Sequence, residues 1–288
     1  MIKKERIDPK EINERYILEF KFTTCQKEAI KLIYEMRILS TSQIAEILKL
    51  SVKYTSSQLV GLYNGGFLYR KYVNRTFDES KGEAYWIIDR GGALFIAGSY
   101  GINMKELNWD IRDNLIGFEK LEHSRKISEV RTILEREATL RGHKIEEAYC
   151  DRHLHYEFII ENKKLGLSPD LYLKYNDGEK IYQYFFEIDR GTMTINGPVN
   201  RSSVVLSKIP RYEGFLESNV WQENFEAFPR VVFLTSTKGR ATKILEGIKN
   251  TRKSNLDFLV STFEMFDKDP LGNIFKSIIN NETTNLFE

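Results

Sequence analysis

Cysteine is nearly absent from this 288-residue chain, which holds only Cys25 and Cys150. Two cysteines exclude a disulfide framework and a cysteine-rich zinc module, and they fit a reducing, cytoplasmic setting. Long apolar runs are missing as well. Stretches such as VVFL at 231–234 are strand-sized, far short of the ~18 residues that a membrane span needs. The opening MIKKERIDPKEINER holds no apolar segment of a secretory signal. No G-x-x-x-x-G-K-S/T occurs, which excludes a P-loop helicase or partition ATPase. Acid is missing from one place in particular. Between Glu46 and Asp78 there is none, while Lys49, Lys53, Arg70, Lys71 and Arg75 all fall in that stretch. The net charge is only +2, so this local basic island, more than the total, points to a polyanion such as nucleic acid.

Hydrophobic residues make up 41% of the chain and charged residues 29%, enough for a globular core. In TTCQKEAIKLIYEMRILS, apolar residues recur with a helical period at Ala29, Ile30, Ile33, Tyr34 and Met36. TSQIAEILKL reads as a second helix that Thr41 or Ser42 would cap. A third, SVKYTSSQLVGLYNGGF, spaces Thr55, Leu59 and Leu62 on one face and ends at Gly65-Gly66. FLYRKYV and EAYWIID then read as two strands joined by the polar tip NRTFDESKG, with a further helix from RGGALFIAG. This order, and LYNGGFLYRK at the helix-to-strand junction, resembles the winged helix-turn-helix superfamily over residues 40–95. The resemblance implies that the third helix enters the major groove of double-stranded DNA and that the wing meets its backbone. On that helix Lys53, Tyr54, Ser57 and Gln58 are not needed by the core, while Arg70, Lys71 and Arg75 lie on or near the wing. A module that binds protein instead is the alternative reading.

Residues 97–122 show no sustained period and carry three glycines, so the domain boundary is expected there. HSRKISEVRTILEREATLRG follows as an amphipathic helix with Ile127, Val130, Ile133, Leu134 and Ala138 on one face. IEEAYC, LHYEFII, DLYLKY, KIYQYFFEI, RVVFLTS and DFLVST read as strands, interrupted by helices over SSVVLSKIPRYEGFLES and KGRATKILEGIKNT. That order describes a mixed sheet flanked by helices.

One hairpin in this half concentrates acid. In SPDLYLKYNDGEKIYQYFFEIDRG, Asp177-Gly178 is a strong turn signal. With those two as the loop, Asp170 sits opposite Phe185, and Glu187 is its diagonal neighbour on the same face. Asp189 shares that face by the two-residue period of a strand. Leu171, Leu173, Tyr182, Tyr184, Phe186 and Ile188 fill the other face as core, and a loop one residue longer would reverse the parity. Three carboxylates on one side of a sheet call for a cation among them.

A PD followed by a hairpin and an acidic strand resembles the PD-(D/E)xK nuclease pattern. The wider chain resembles the replication-relaxation family of plasmids and other mobile elements, through HSRKISEVR, LSPDLYL, FFEIDRGTM, LSKIPRYEGF and DPLGNIF. The nuclease resemblance implies Mg2+ or Mn2+ on Asp170 and Glu187, with Asp189 as a further ligand, and metal-dependent DNA nicking. The pattern's third-position lysine is replaced by Asp189. Lys208 on the following helix is the candidate substitute, ahead of Arg190, and Glu137 could add a carboxylate. The competing reading is a degenerate nuclease fold in a non-enzymatic transcriptional regulator, serving dimerisation, as a homodimer, or DNA binding. His153-Leu154-His155 with Glu157 resembles the His-hydrophobe-His motif of rolling-circle nickases and relaxases, which would also need a nucleophilic tyrosine.

The expectation is therefore an α+β protein: a winged helix-turn-helix over 20–100, a linker over 101–122, and an α/β mixed sheet of restriction-endonuclease-like type over 123–275. It would bind double-stranded DNA, avoid membranes, and act in replication or its transcriptional control.

Overall fold

The computed structural model of the chain describes residues 6–72, 82–150, 153–197 and 204–288. These residues form α-helices and a large mixed sheet, divided into two compact units, Met1–Thr132 and Ile133–Glu288.

The first unit begins with α1 (Glu14–Glu19) and α2 (Thr24–Met36), the latter opened by a capping box between Thr23 and Gln26. A two-residue strand β1 (Leu39–Ser40) leads into α3 (Thr41–Ile47). Its cap is Ser40, one residue earlier than expected, because Ser40 and Gln43 form a second capping box. α4 (Val52–Asn64) is capped by Ser51 and buries Thr55, Leu59 and Leu62. Gly66, at φ +74°, supplies the left-handed turn that ends this helix. β2 (Leu68–Tyr72) and β3 (Ala84–Ile88) form an antiparallel ribbon, and β1 pairs with the other edge of β3. Buried Trp86 fixes that corner by donating its indole N–H to Thr41 Oγ1 at 2.9 Å. α5 (Arg90–Tyr100) closes against the ribbon, with Asp89 as its cap.

The segment 101–122, expected as a linker, is part of the first unit's packing. Trp109 donates its indole N–H to the Ile88 carbonyl at 3.2 Å, and Ile116 and Leu121 join Ile38, Tyr85 and Ile87 in one cluster. Short 3-10 turns supply its hydrogen bonds, which is why no sustained period marks it in the sequence. The division between units falls inside α6 (Phe118–Arg141), and the five apolar residues expected on one face of that helix are all buried.

The second unit is built on a seven-stranded sheet. Its strands are β4 (Lys144–Cys150), β7 (Leu171–Asn176), β8 (Ile181–Asp189), β9 (Arg230–Thr235), β10 (Phe258–Thr262), β11 (Phe275–Ser277) and β12 (Thr283–Thr284), paired in the reverse of that order, from β12 to β4. β5 (Tyr156–Ile160) and β6 (Lys163–Leu167) make a separate hairpin. β8–β9 and β9–β10 are parallel and the other pairs antiparallel; β8 is an interior strand between β9 and β7, and its run from Tyr184 to Asp189 is buried on both faces. α7 (Ile209–Ser218) and α8 (Lys238–Thr251) contribute Ile209, Tyr212, Phe215, Ile244 and Ile248 to the core on the Phe185 and Phe233 side. α9 (Phe263–Lys268) sets Phe266 against Phe186 on the other side. Burying one such phenylalanine is worth about 1.5–3 kcal/mol. The unit does not end at 275: β11 and β12 complete the sheet edge, and the Leu286 carbonyl accepts from buried Tyr184 at 2.6 Å. No helix among the described residues is long and apolar enough to cross a membrane.

Candidate functional site

The β7–β8 hairpin sets the geometry. Its loop spans residues 177–180, two residues longer than a two-residue turn, because Asp177 Oδ1 accepts from the backbone N–H groups of Glu179 and Lys180 at 2.9 and 2.7 Å. The pairing shifts accordingly, with Leu171 opposite Phe186 and Asn176 opposite Ile181. A shift by two residues preserves parity, so Asp170, Glu187 and Asp189 still belong to one face. That face is as buried as the other: Phe185 is fully enclosed in the aromatic core, which excludes the YQYFF run as an exposed base-stacking surface.

Asp170 sits just before β7. Its Oδ2 accepts the Ile188 N–H at 2.7 Å, which locks the carboxylate across from the end of β8. Lys208, at the start of α7, directs its ammonium between the two carboxylates, 3.5 Å from Asp170 Oδ1 and in a short contact with Glu187 Oε2. Tyr212, one helical turn further on, donates its hydroxyl to Glu187 Oε1 at 2.6 Å. The Glu187 side chain is only 2% exposed, against 16% for Asp170 and 22% for Lys208. The cluster is therefore closed behind Glu187 and open to solvent at Asp170 and Lys208. Burial lifts the Glu187 carboxyl to about 8 against the pull of Lys208, with Asp170 adding to the rise. Burial also works against the charged Lys208 ammonium, yet the two carboxylates overcome it and hold its pKa above the ordinary lysine value. Tyr212 is the participant that the sequence reading missed. Its signal was the four-residue spacing from Lys208, which puts both on one face of α7.

Asp189, expected as a further metal ligand, is held by a different set of partners. Arg240 on α8 binds it through Nε and, at 2.8 Å, through Nη2, and Thr235 Oγ1 donates at 2.5 Å. Arg240 comes from 51 residues away and had no local signal. Glu137 lies on α6 and acts electrostatically on Tyr175, whose pKa is raised chiefly by burial and which is on the opposite face of the sheet from Glu187. The His-hydrophobe-His segment precedes β5 and does not lie on a strand. His155 pairs with Ser168 at 2.9 Å and lies 3.8 Å from Glu157, which itself pairs with Lys164 at 2.8 Å.

Among the described residues no group of three His, Cys, Asp or Glu side chains could hold a metal ion. Two carboxylates suffice for Mg2+, which keeps several waters and takes one or two protein oxygens. Asp170 and Glu187 fit that requirement in number and hardness, each with one oxygen turned to the space that Lys208 also enters.

In the first unit, Lys53, Tyr54 and Ser57 share the exposed face of α4, opposite its buried Thr55, Leu59 and Leu62. Gln58 is half-buried, and its Oε1 accepts from Thr23 Oγ1 at 2.8 Å. Arg70 is stacked within the protein, its guanidinium 4.6 Å from the Tyr63 ring centre and 5.3 Å from that of Tyr72. Lys71 spends its ammonium on the Ile116 carbonyl. Arg75 and the expected wing tip lie outside the described residues.

The chain belongs to the replication-relaxation family, whose model matches residues 30–231 and so reaches across both units. A search of curated proteins finds no match. Among solved structures, the disulfide-formed AbfR is 18% identical over 45% of this chain and 77% of its own, with a TM-score of 0.24. A MarR family transcription regulator is likewise 18% identical, over 44% of this chain and 80% of its own, at 0.25. The restriction endonuclease FokI is 13% identical over 85% of this chain and 42% of its own, at 0.27. Likenesses this loose decide neither fold nor function.

Proposed function

We propose that this is a double-stranded DNA-binding protein of a plasmid or other mobile element, acting in its replication or transcriptional control. The first unit is read as a winged helix-turn-helix whose α4 lies in the major groove, with Lys53, Tyr54 and Ser57 toward the DNA. Family membership supports the replication role. The observation that carries DNA binding is the outer face of α4, polar, exposed and inside a stretch of chain without acid. Fluorescence anisotropy with a duplex tests it: affinity should fall steeply as salt rises, and a flat salt response would overturn it.

The second unit is read as a restriction-endonuclease-like fold with a phosphodiester-cleaving site at Asp170, Glu187 and Lys208. Support comes from the convergence of these three side chains around a nearly inaccessible carboxylate, an expensive arrangement typical of working sites. When bound, Mg2+ or Mn2+ on Asp170 and Glu187 would polarise the scissile phosphate. Lys208 offsets the charge of the carboxylates, Tyr212 fixes the Glu187 rotamer, and Ile188 holds Asp170 in place. One observation favours a second reading, a non-enzymatic regulator with a degenerate nuclease fold: the Lys208 ammonium already sits between the pair and offsets one of its charges without metal.

A further inference from the structure

Gln58 on α4 is held by side chains from the start of another helix. Thr23, the cap of α2, and Gln26, in its first turn, close a capping box. The Gln26 N–H donates to Thr23 Oγ1 at 3.2 Å and the Thr23 N–H to Gln26 Oε1 at 3.1 Å. Both side chains then reach on to α4. Thr23 Oγ1 donates its own proton to Gln58 Oε1 at 2.8 Å, and buried Gln26 meets the Gln58 carbonyl through Nε2 at 3.5 Å. Gly61 leaves room for this, since a Cβ there would stand 3.2 Å from Gln26 Nε2.

Donor and acceptor roles in this network fix the Gln58 amide. Thr23 Oγ1 already accepts from the Gln26 N–H, so what it offers Gln58 is its proton, and the amide oxygen turns toward it. A reversed amide would put two N–H donors on one hydroxyl and leave the hydroxyl proton unspent. Among the described residues Gln58 Nε2 has no partner. Gln58 follows Tyr54, 44% exposed, by one helical turn and so borders the outer face of α4. The free group at that border is a donor.

We infer that Gln58 is a donor-only reader of the major groove and selects guanine. The inference rests on the reading of α4 as the helix that enters the groove. Guanine shows two acceptors there, N7 and O6, and no donor. Adenine sets an amino group beside its N7, cytosine shows only an amino group, and thymine shows one acceptor beside a methyl group. A glutamine with both amide atoms free takes adenine through two bonds. With the oxygen engaged by Thr23 that match is excluded, and guanine is the edge that suits an NH2 alone.

Selection of duplexes from a random pool by the full chain, followed by sequencing, tests this. The enriched site should contain a G·C pair that Gln58→Ala no longer selects, with the other positions unchanged. Anisotropy with that site and its A·T variant should show a preference of about three- to tenfold in wild type, the effect of one neutral hydrogen bond, and none in Gln58→Ala. Thr23→Asp keeps a capping side chain but removes the proton, so the Gln58 amide turns its NH2 inward and its oxygen toward the groove. The preference should then pass to a base with an amino group, adenine or cytosine. The added charge weakens all duplexes alike and cancels in the ratio. Adenine at the Gln58-dependent position in wild type, no such position, or an unchanged guanine preference in Thr23→Asp would each overturn the inference while duplex binding stands. Absence of any duplex binding would remove the reading of α4 itself, and the inference with it. If circular dichroism shows that Thr23→Asp does not fold, wild type against Gln58→Ala decides alone.

Discussion

Replacing Lys208 with methionine keeps most of the side-chain volume and removes the one charge that stands between Asp170 and Glu187. The consequence depends on pH in a direction that the geometry fixes. The folded-state pKa of Glu187, about 8, lies above its ordinary value of 4.5. A group raised in this way favours the folded state fully below about pH 4.5, and the advantage is lost as pH climbs through about 8. The loss runs at ~1.4 kcal/mol per unit within that window. Lys208 pulls this pKa down, so in Lys208→Met the loss continues into the alkaline range. At pH 5 Glu187 is protonated in both folded proteins. The deficit is then only the partly exposed Asp170 contact, about 1 kcal/mol or less. Above pH 8 the wild-type loss levels off while that of the variant continues, so the deficit grows by ~1.4 kcal/mol per unit and reaches about 2–3 kcal/mol at pH 9. Urea unfolding of the full chain at pH 5, 7 and 9 reads this directly. In a Glu187→Gln background the pH-dependent part of the deficit should disappear. A deficit that stays flat with pH, or no deficit at all at pH 9, would refute the placement of the ammonium.

Two further outcomes separate the basic residues by what they touch. Lys53→Ala should weaken duplex binding and reduce the salt slope by about 0.9, one phosphate contact; Lys71→Ala should leave the slope nearly unchanged, since its ammonium is held by the Ile116 carbonyl. Anisotropy titrations at four salt concentrations measure both. Arg240→Ala leaves Asp189, 5% exposed, without its cation and should cost about 3–5 kcal/mol in chemical denaturation. Arg240→Lys should recover only part of this, because an ammonium cannot reproduce the two-nitrogen contact.

The helices and strands with strong periods were readable because their burial is one-sided, as in α4 with Thr55, Leu59 and Leu62. The carboxylate face survived an incorrect turn length for a reason of parity. The loop is two residues longer than the Asp177-Gly178 signal suggests, since Asp177 caps a wider turn, and an even shift leaves side chains on the same faces. What failed was the assumption that only one face of β8 is core. An interior strand flanked by parallel and antiparallel neighbours is covered twice, so its run from Tyr184 to Asp189 is buried throughout. Asp189 could not be separated from Asp170 and Glu187 by pattern alone, because its partner Arg240 arrives through tertiary packing. The end of the second unit was cut short for a similar reason. Strands of three and two residues, β11 and β12, are too brief to show alternation.

Phosphodiester cleavage at Asp170 and Glu187 is the part of the proposed function on which the second unit's role depends. Incubating supercoiled plasmid with the full chain and Mn2+ or Mg2+, and comparing it with the Asp170→Asn, Glu187→Gln double variant, tests this most directly. The expected result is nicked product that requires the metal and falls at least about a hundredfold in the variant. Intact plasmid with the wild-type protein under conditions where it binds DNA, or equal nicking by both proteins, would contradict it.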